Sequence, residues 1–84
     1  MAYTVYLKRS AEKELEELPA KVHDKIIEAL LSLGGNRFLR SAKKLHGREG
    51  FRIRVGKYRV LYLIDDTNKR IDVISVADRK EVHR

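Results

Sequence analysis

A chain of 84 residues makes one domain, spanning 1–84, and a domain this short buries only about 60% of its unfolded surface, so nearly every periodic apolar residue is needed for folding. It has no cysteine, which excludes disulfides and thiolate metal sites and favours a reducing compartment. The formal net charge is +7 and no run approaches the roughly 18 apolar residues of a membrane span, so the expectation is a soluble cytoplasmic protein with polyanionic partners and no membrane association.

Residues 3–8 alternate as a short strand, with Tyr3, Val5 and Leu7 on one side and Thr4, Tyr6 and Lys8 on the other. The opening Met1–Arg9 is too short and too polar for the apolar region of a secretion signal. Ser10 is the expected N-cap of a first helix, with Glu12 in the first turn, where the helix dipole favours a carboxylate. Ala11, Leu15 and Leu18 form its apolar stripe, and Pro19 ends it or opens the next. A second helix is predicted from about Ala20 to Leu33, burying Val22, Ile26, Ala29, Leu30 and Leu33, with Gly34-Gly35 and Asn36 as the stop. So short a connection predicts an antiparallel helical hairpin. Glu14, Glu16, Glu17, Lys21, Lys25 and Glu28 read as its solvated side.

Residues 36–50 read as a basic connector, followed by strands at Phe51–Val55, Tyr58–Ile64 and Arg70–Val76. Val73, Ile74 and Val76 make the last strand nearly continuous in apolar residues, which predicts burial on both faces. Asp65-Asp66-Thr67-Asn68 is a turn. The order βααβββ gives an α+β fold: a small, mainly antiparallel four-stranded sheet with a two-helix hairpin packed on one face.

The charge is unevenly spread. Residues 1–36 hold five basic and six acidic residues, whereas 37–59 hold nine basic residues and one acid, Glu49. A field concentrated in this way attracts nucleic acid, whereas a solvated surface without a ligand would be mixed in sign, as in the first half.

Gly56-Lys57 predicts a two-residue type II′ turn, and that fixes a register: Val55 opposite Tyr58, Arg54 opposite Arg59, Ile53 opposite Val60, Arg52 opposite Leu61. Phe51, Ile53, Val55, Tyr58, Val60 and Tyr62 then face the helices, while Arg52, Arg54 and Arg59 share the other face. Two directly opposed arginines repel by up to roughly 1 kcal/mol, and neither strand carries an acid. A phosphate docked between them converts repulsion into charge-assisted bonds. The competing expectation is that these arginines splay into water or pair with Asp72 or Asp78.

Further along, Arg79 follows the last strand, and His83 stands near the C-terminus, where a histidine is the natural proton carrier at neutral pH. Lys43, Lys44, His46, Arg48, Lys57 and Arg84 are the expected RNA-binding residues around the arginines. The three histidines lack ligand spacing, so no metal or other cofactor is expected.

Several segments resemble the RelE/ParE superfamily of bacterial and archaeal toxins, above all its RelE branch. They are the opening strand, Leu18-Pro19, Lys44-Leu45-His46-Gly47, Phe51-Arg52-Ile53-Arg54-Val55, Gly56-Lys57-Tyr58-Arg59-Val60-Leu61-Tyr62, and the ending Arg79-Lys80-Glu81-Val82-His83-Arg84. The resemblance implies a ribosome-dependent mRNA endoribonuclease, the toxin of a type II toxin–antitoxin system. In such enzymes the 2′-hydroxyl of the messenger attacks the adjacent phosphate without a metal, leaving a 2′,3′-cyclic phosphate and a 5′-hydroxyl. It also implies catalytic roles for Arg52, Arg54, Arg59, Arg79 and His83. The partners it implies are ribosome-bound mRNA, with contacts to the 16S rRNA, and a cognate antitoxin.

The chain departs from the family pattern at two places. Arginines replace the usual lysines at 52 and 54, which suits them to charge stabilisation and not to proton transfer. His83 replaces an aromatic residue, commonly tyrosine, and is expected to act as general acid or base. The alternatives are a ParE-like inhibitor of DNA gyrase and a non-catalytic RNA-binding module.

Overall fold

The structure is a computed structural model that describes residues 3–35, 42–45, 47 and 49–78. In chain order it contains β1 (Thr4–Leu7), α1 (Arg9–Glu16), α2 (Ala20–Gly35), β2 (Lys43–Lys44), β3 (Phe51–Val55), β4 (Tyr58–Asp65) and β5 (Arg70–Asp78). The strands form one sheet in the order β1-β5-β4-β3-β2. β1 runs parallel to β5 and the other pairings are antiparallel.

The sheet therefore has five strands, not the four expected. The additional strand is β2, inside the segment read as a connector. Two consecutive lysines give no apolar alternation, so pairing with β3 alone makes this strand.

Both helices lie on one face, where Ala11 and Leu15 of α1 and Ile26, Leu30 and Leu33 of α2 meet Ile53, Val60, Tyr62, Ile71, Val73 and Val76 of the sheet. Ser10 is not the cap of α1. Lys8 holds that position, and the Ser10 hydroxyl donates to the Ile74 carbonyl at 2.9 Å. α1 closes with three-residue bonds from Glu17 N–H to Glu14 and from Leu18 N–H to Leu15. Pro19 then begins the next helix, its carbonyl accepting the His23 N–H.

α2 runs on through Gly34-Gly35. The Gly34 carbonyl accepts the Tyr3 N–H at 2.6 Å, so a tertiary bond to the start of β1 overrides the local stop signal.

β5 is not buried on both faces as its apolar run predicts. Leu61 pairs with Ser75 and Tyr62 with Val73, so Ile74 is the extra residue of a β-bulge. The bulge shifts the alternation by one, and Val73 and Val76 both reach the helix side.

Past β1 the outer edge of β5 is covered by α1. Glu14, expected to be merely solvated, accepts the Val76 N–H on Oε1 at 2.9 Å, and with Ser10 it satisfies an edge that would otherwise invite another strand.

Burial pushes the Tyr62 hydroxyl up to about 12. Its folded pKa thus lies above the unfolded value near 10, so the unfolded chain ionises first and stability falls as pH rises from roughly 10 towards 12. Denaturation midpoints measured across this range should decline, with the steepest loss above pH 10.

Gly50 adopts φ +124°, and a Cβ there would lie 3.2 Å from the Tyr62 carbonyl oxygen and 3.1 Å from Leu45 Cδ1. Its own carbonyl accepts the Leu45 N–H at 3.0 Å, closing the β2–β3 connection. Gly50→Ala should cost about 1–3 kcal/mol. For a domain this size that is a drop of about 4–8 °C in Tm per kcal/mol, measurable by thermal unfolding.

Candidate functional site

The β3–β4 hairpin has the expected register throughout: Arg52 opposite Leu61, Ile53 opposite Val60, Arg54 opposite Arg59 and Val55 opposite Tyr58. Gly56 carries φ +61°, as the first central position of a type II′ turn requires. Ile53, Val60 and Tyr62 are sealed against the helices. Strand alternation then turns Arg52, Arg54 and Arg59 to the opposite face.

Lys43 of β2 pairs directly with Arg52 and takes the same face. These four cations, with Ile53, line a cleft of about 180 Å³. Cross-strand partners stand with Cβ atoms about 5 Å apart, so the cleft brings together two opposed pairs of cationic side chains.

Arg59 differs from its neighbours in exposure. It belongs to the central strand, between β3 and β5, and only 6% of it remains accessible, whereas Arg54 is exposed and Arg52 half-buried. Arg59 is thus the floor of the cleft, and Arg52, Arg54 and Lys43 form its rim. An oxyanion entering it meets several guanidinium groups at once, one of them buried at the floor, and donors gathered in this way suit electrostatic stabilisation of developing charge.

Among the described residues no carboxylate pairs with Arg52 or Arg54. The acids of β4 and β5 make contacts of their own. Asp72 receives Nη2 and Nε of Arg70 at 2.8 and 3.2 Å, an interaction that raises the Arg70 pKa. Asp78 lies 3.6 Å from Lys57 Nζ. Asp65 accepts the Asn68 side-chain and backbone N–H groups, which hold its carboxyl below the usual carboxylate range.

Not every expected residue converges here. Lys44 pairs with Phe51, on the other side of the alternation, and lines a separate hollow with Glu49, Asp65 and Asp72. Lys57 sits at the hairpin tip against Asp78 and over the Tyr58 ring, 5.6 Å from its centroid, and does not line the arginine cleft. His46, Arg48, Arg79, His83 and Arg84 lie outside the described residues. Among the described residues no group of three or more His, Cys, Asp or Glu side chains could hold a metal, and no helix is long and apolar enough to cross a membrane.

Residues 5–83 match the family described as ParE toxin of type II toxin-antitoxin system, parDE. Two Mycobacterium tuberculosis proteins align along nearly the whole chain. Toxin RelG is 30% identical over 100% of this chain and 99% of its own. Toxin RelE is 33% identical over 98% of this chain and 87% of its own. The toxin–antitoxin complex RelBE2 from Mycobacterium tuberculosis contains a chain that superposes with a TM-score of 0.82 at 32% identity, covering 94% of this chain and 100% of that one. A chain of the archaeal RelE-RelB complex from Pyrococcus horikoshii gives 0.80 at 25% identity, covering 94% and 97%. Isolated Escherichia coli RelE shares the fold, with a TM-score of 0.80 at 24% identity over 99% and 98% of the two chains.

Proposed function

The chain belongs to the RelE/ParE superfamily of type II toxin–antitoxin toxins, and we propose that within it this protein is a ribosome-dependent mRNA endoribonuclease of the RelE kind. The observation that carries the reading is the cleft in which Arg52, Arg54 and Arg59 converge with Lys43 on one face of the sheet. A scissile phosphate gains a further negative charge as the adjacent 2′-oxygen attacks it. Arginine cannot deprotonate in a protein, so these side chains hold the phosphate and stabilise the pentacoordinate transition state; they do not move protons. Arg79 is assigned to the same phosphate, and His83 to the proton of the attacking 2′-hydroxyl, on the sequence argument alone. The products are a 2′,3′-cyclic phosphate and a 5′-hydroxyl.

The messenger would be presented by the ribosome in the cytoplasm. Among the described residues no aromatic side chain that could stack on a base lines the cleft, and Tyr58 and Tyr62 belong to the helix side. Choice of sequence is therefore left to the ribosome. Two solved relatives are complexes of RelE-type toxins with their antitoxins, which supports a cognate antitoxin as the second partner.

The family description names ParE, and this favours one other reading, an inhibitor of DNA gyrase that cuts no RNA. Purified protein added to ribosomes translating a defined messenger separates the two. Cleaved messenger with cyclic phosphate ends is the expected result. Intact messenger, together with an arrest of replication before translation on expression in cells, would replace the proposal with the gyrase reading.

A further inference from the structure

The cleft has a chemical gap that its fourth side chain fills. Breaking the phosphorus–oxygen bond expels the 5′-oxygen as an alkoxide, a strong base that needs a proton as it leaves. Arg52, Arg54 and Arg59 cannot supply one, because a guanidinium does not give up its proton at accessible pH. Among the described residues that line the cleft, Lys43 alone carries a proton that can be transferred. An ammonium group carries three donor protons, which is what a general acid needs to offer.

The placement is specific. Lys43 and Lys44 are adjacent, yet the pairing of β2 with β3 sends them apart: Lys43 sits beside Arg52 at the cleft rim, and Lys44 lines the hollow with Glu49 and Asp72. Lys43 is also exposed, free to reach over a bound phosphate from the edge of the sheet, opposite the floor formed by Arg59.

We propose that Lys43 is the general acid of this site, its Nζ protonating the departing 5′-oxygen of the RNA. This rests on the endoribonuclease reading above and deepens it. As the 2′-oxygen bonds to phosphorus, its proton passes to the base assigned to His83. The phosphorus–5′-oxygen bond breaks with its electron pair on oxygen, and Lys43 gives that oxygen a proton. Lys43 and the base then recover their starting states by exchange with water, so no proton is gained or lost overall.

A bland role for Lys43 makes a different prediction. A lysine that only guards a sheet edge against aggregation, or only adds positive charge, is replaceable by arginine. The test is therefore Lys43→Arg in the full chain, with thermal unfolding confirming that it folds. Cleavage on ribosomes is compared for a messenger with the ordinary linkage and one with sulfur in place of the bridging 5′-oxygen at the position the wild-type protein cuts. A thiolate leaves without needing a proton.

Lys43→Arg should lose about 10²-fold or more on the oxygen linkage and return close to the wild-type rate on the sulfur linkage. Arg54→Ala, which removes charge stabilisation, should stay impaired on both. An unchanged rate for Lys43→Arg on the oxygen linkage, or an equal loss on both linkages, would overturn the assignment to Lys43 while leaving the nuclease reading in place. Failure of the wild-type protein to cut either messenger overturns the nuclease reading, and the general acid with it.

Discussion

Arg54→Ala is expected to lower single-turnover cleavage of ribosome-bound messenger by about 10²–10³-fold, the loss seen when one fixed donor to a developing oxyanion is removed. Folding should be nearly untouched. Arg54 is exposed on the outer face, it ends no helix and fills no part of the core, and such surface substitutions stay within about 0.5 kcal/mol. Stability should even rise slightly, because the change relieves the repulsion with Arg59 directly across the ladder. A variant more stable and far less active is the signature of a charge retained for a ligand and not for the fold. Arg54→Lys separates charge from shape: it keeps the cation and loses the planar fork that meets two phosphate oxygens at once, so only partial activity should return. Full activity in Arg54→Ala, with binding to ribosomes intact, would remove this residue from the site. Arg59→Ala is a weaker test. That side chain is almost fully buried, so its removal changes packing as well as charge.

What the sequence discloses here is set by where local rules are strong. The hairpin register was readable because Gly56-Lys57 permits few turns, and once the turn is fixed every opposed pair follows. The same reasoning put Arg52, Arg54 and Arg59 on one face. It could not show that Arg59 lies beneath the others, because burial on a central strand also needs the second neighbour, β5, which pairs from farther along the chain and sets Ala77 opposite Arg59. β2 is not legible in the sequence because two lysines carry no periodic signal, and without β2 nothing distinguishes Lys43 from Lys44. The bulge at Ile74 produced a run of apolar residues that imitates a strand buried on both sides. The roles of Glu14 and Ser10 are hidden for a related reason: both bond to backbone of β5, more than sixty residues away. A helix seen alone gives no hint that it will cover a sheet edge.

The cleft is only as rigid as the sheet behind it, and the largest fully buried side chain of that sheet is Tyr62. It is fully buried in β4, pairs with Phe51 on one side and Val73 on the other, and stacks on the Phe51 ring with centroids 5.9 Å apart. Tyr62→Ala would leave a cavity of aromatic size at the centre of a thin core. Large-to-small changes of this kind cost about 3–5 kcal/mol, against a total stability of about 5–15 kcal/mol, where small domains occupy the low end. The variant should be largely unfolded at physiological temperature, or show a Tm lowered by well over 10 °C at about 4–8 °C per kcal/mol. Tyr62→Phe keeps the ring and should keep the fold, while removing the hydroxyl whose ionisation weakens the protein in alkali. Its denaturation midpoint should accordingly decline less between roughly pH 10 and 12 than that of the parent chain. Circular dichroism melts of the two variants decide the matter: a Tyr62→Ala protein that melts with the wild type would mean that the hairpin is held by something other than this core, and the preorganised cleft would lose its physical basis.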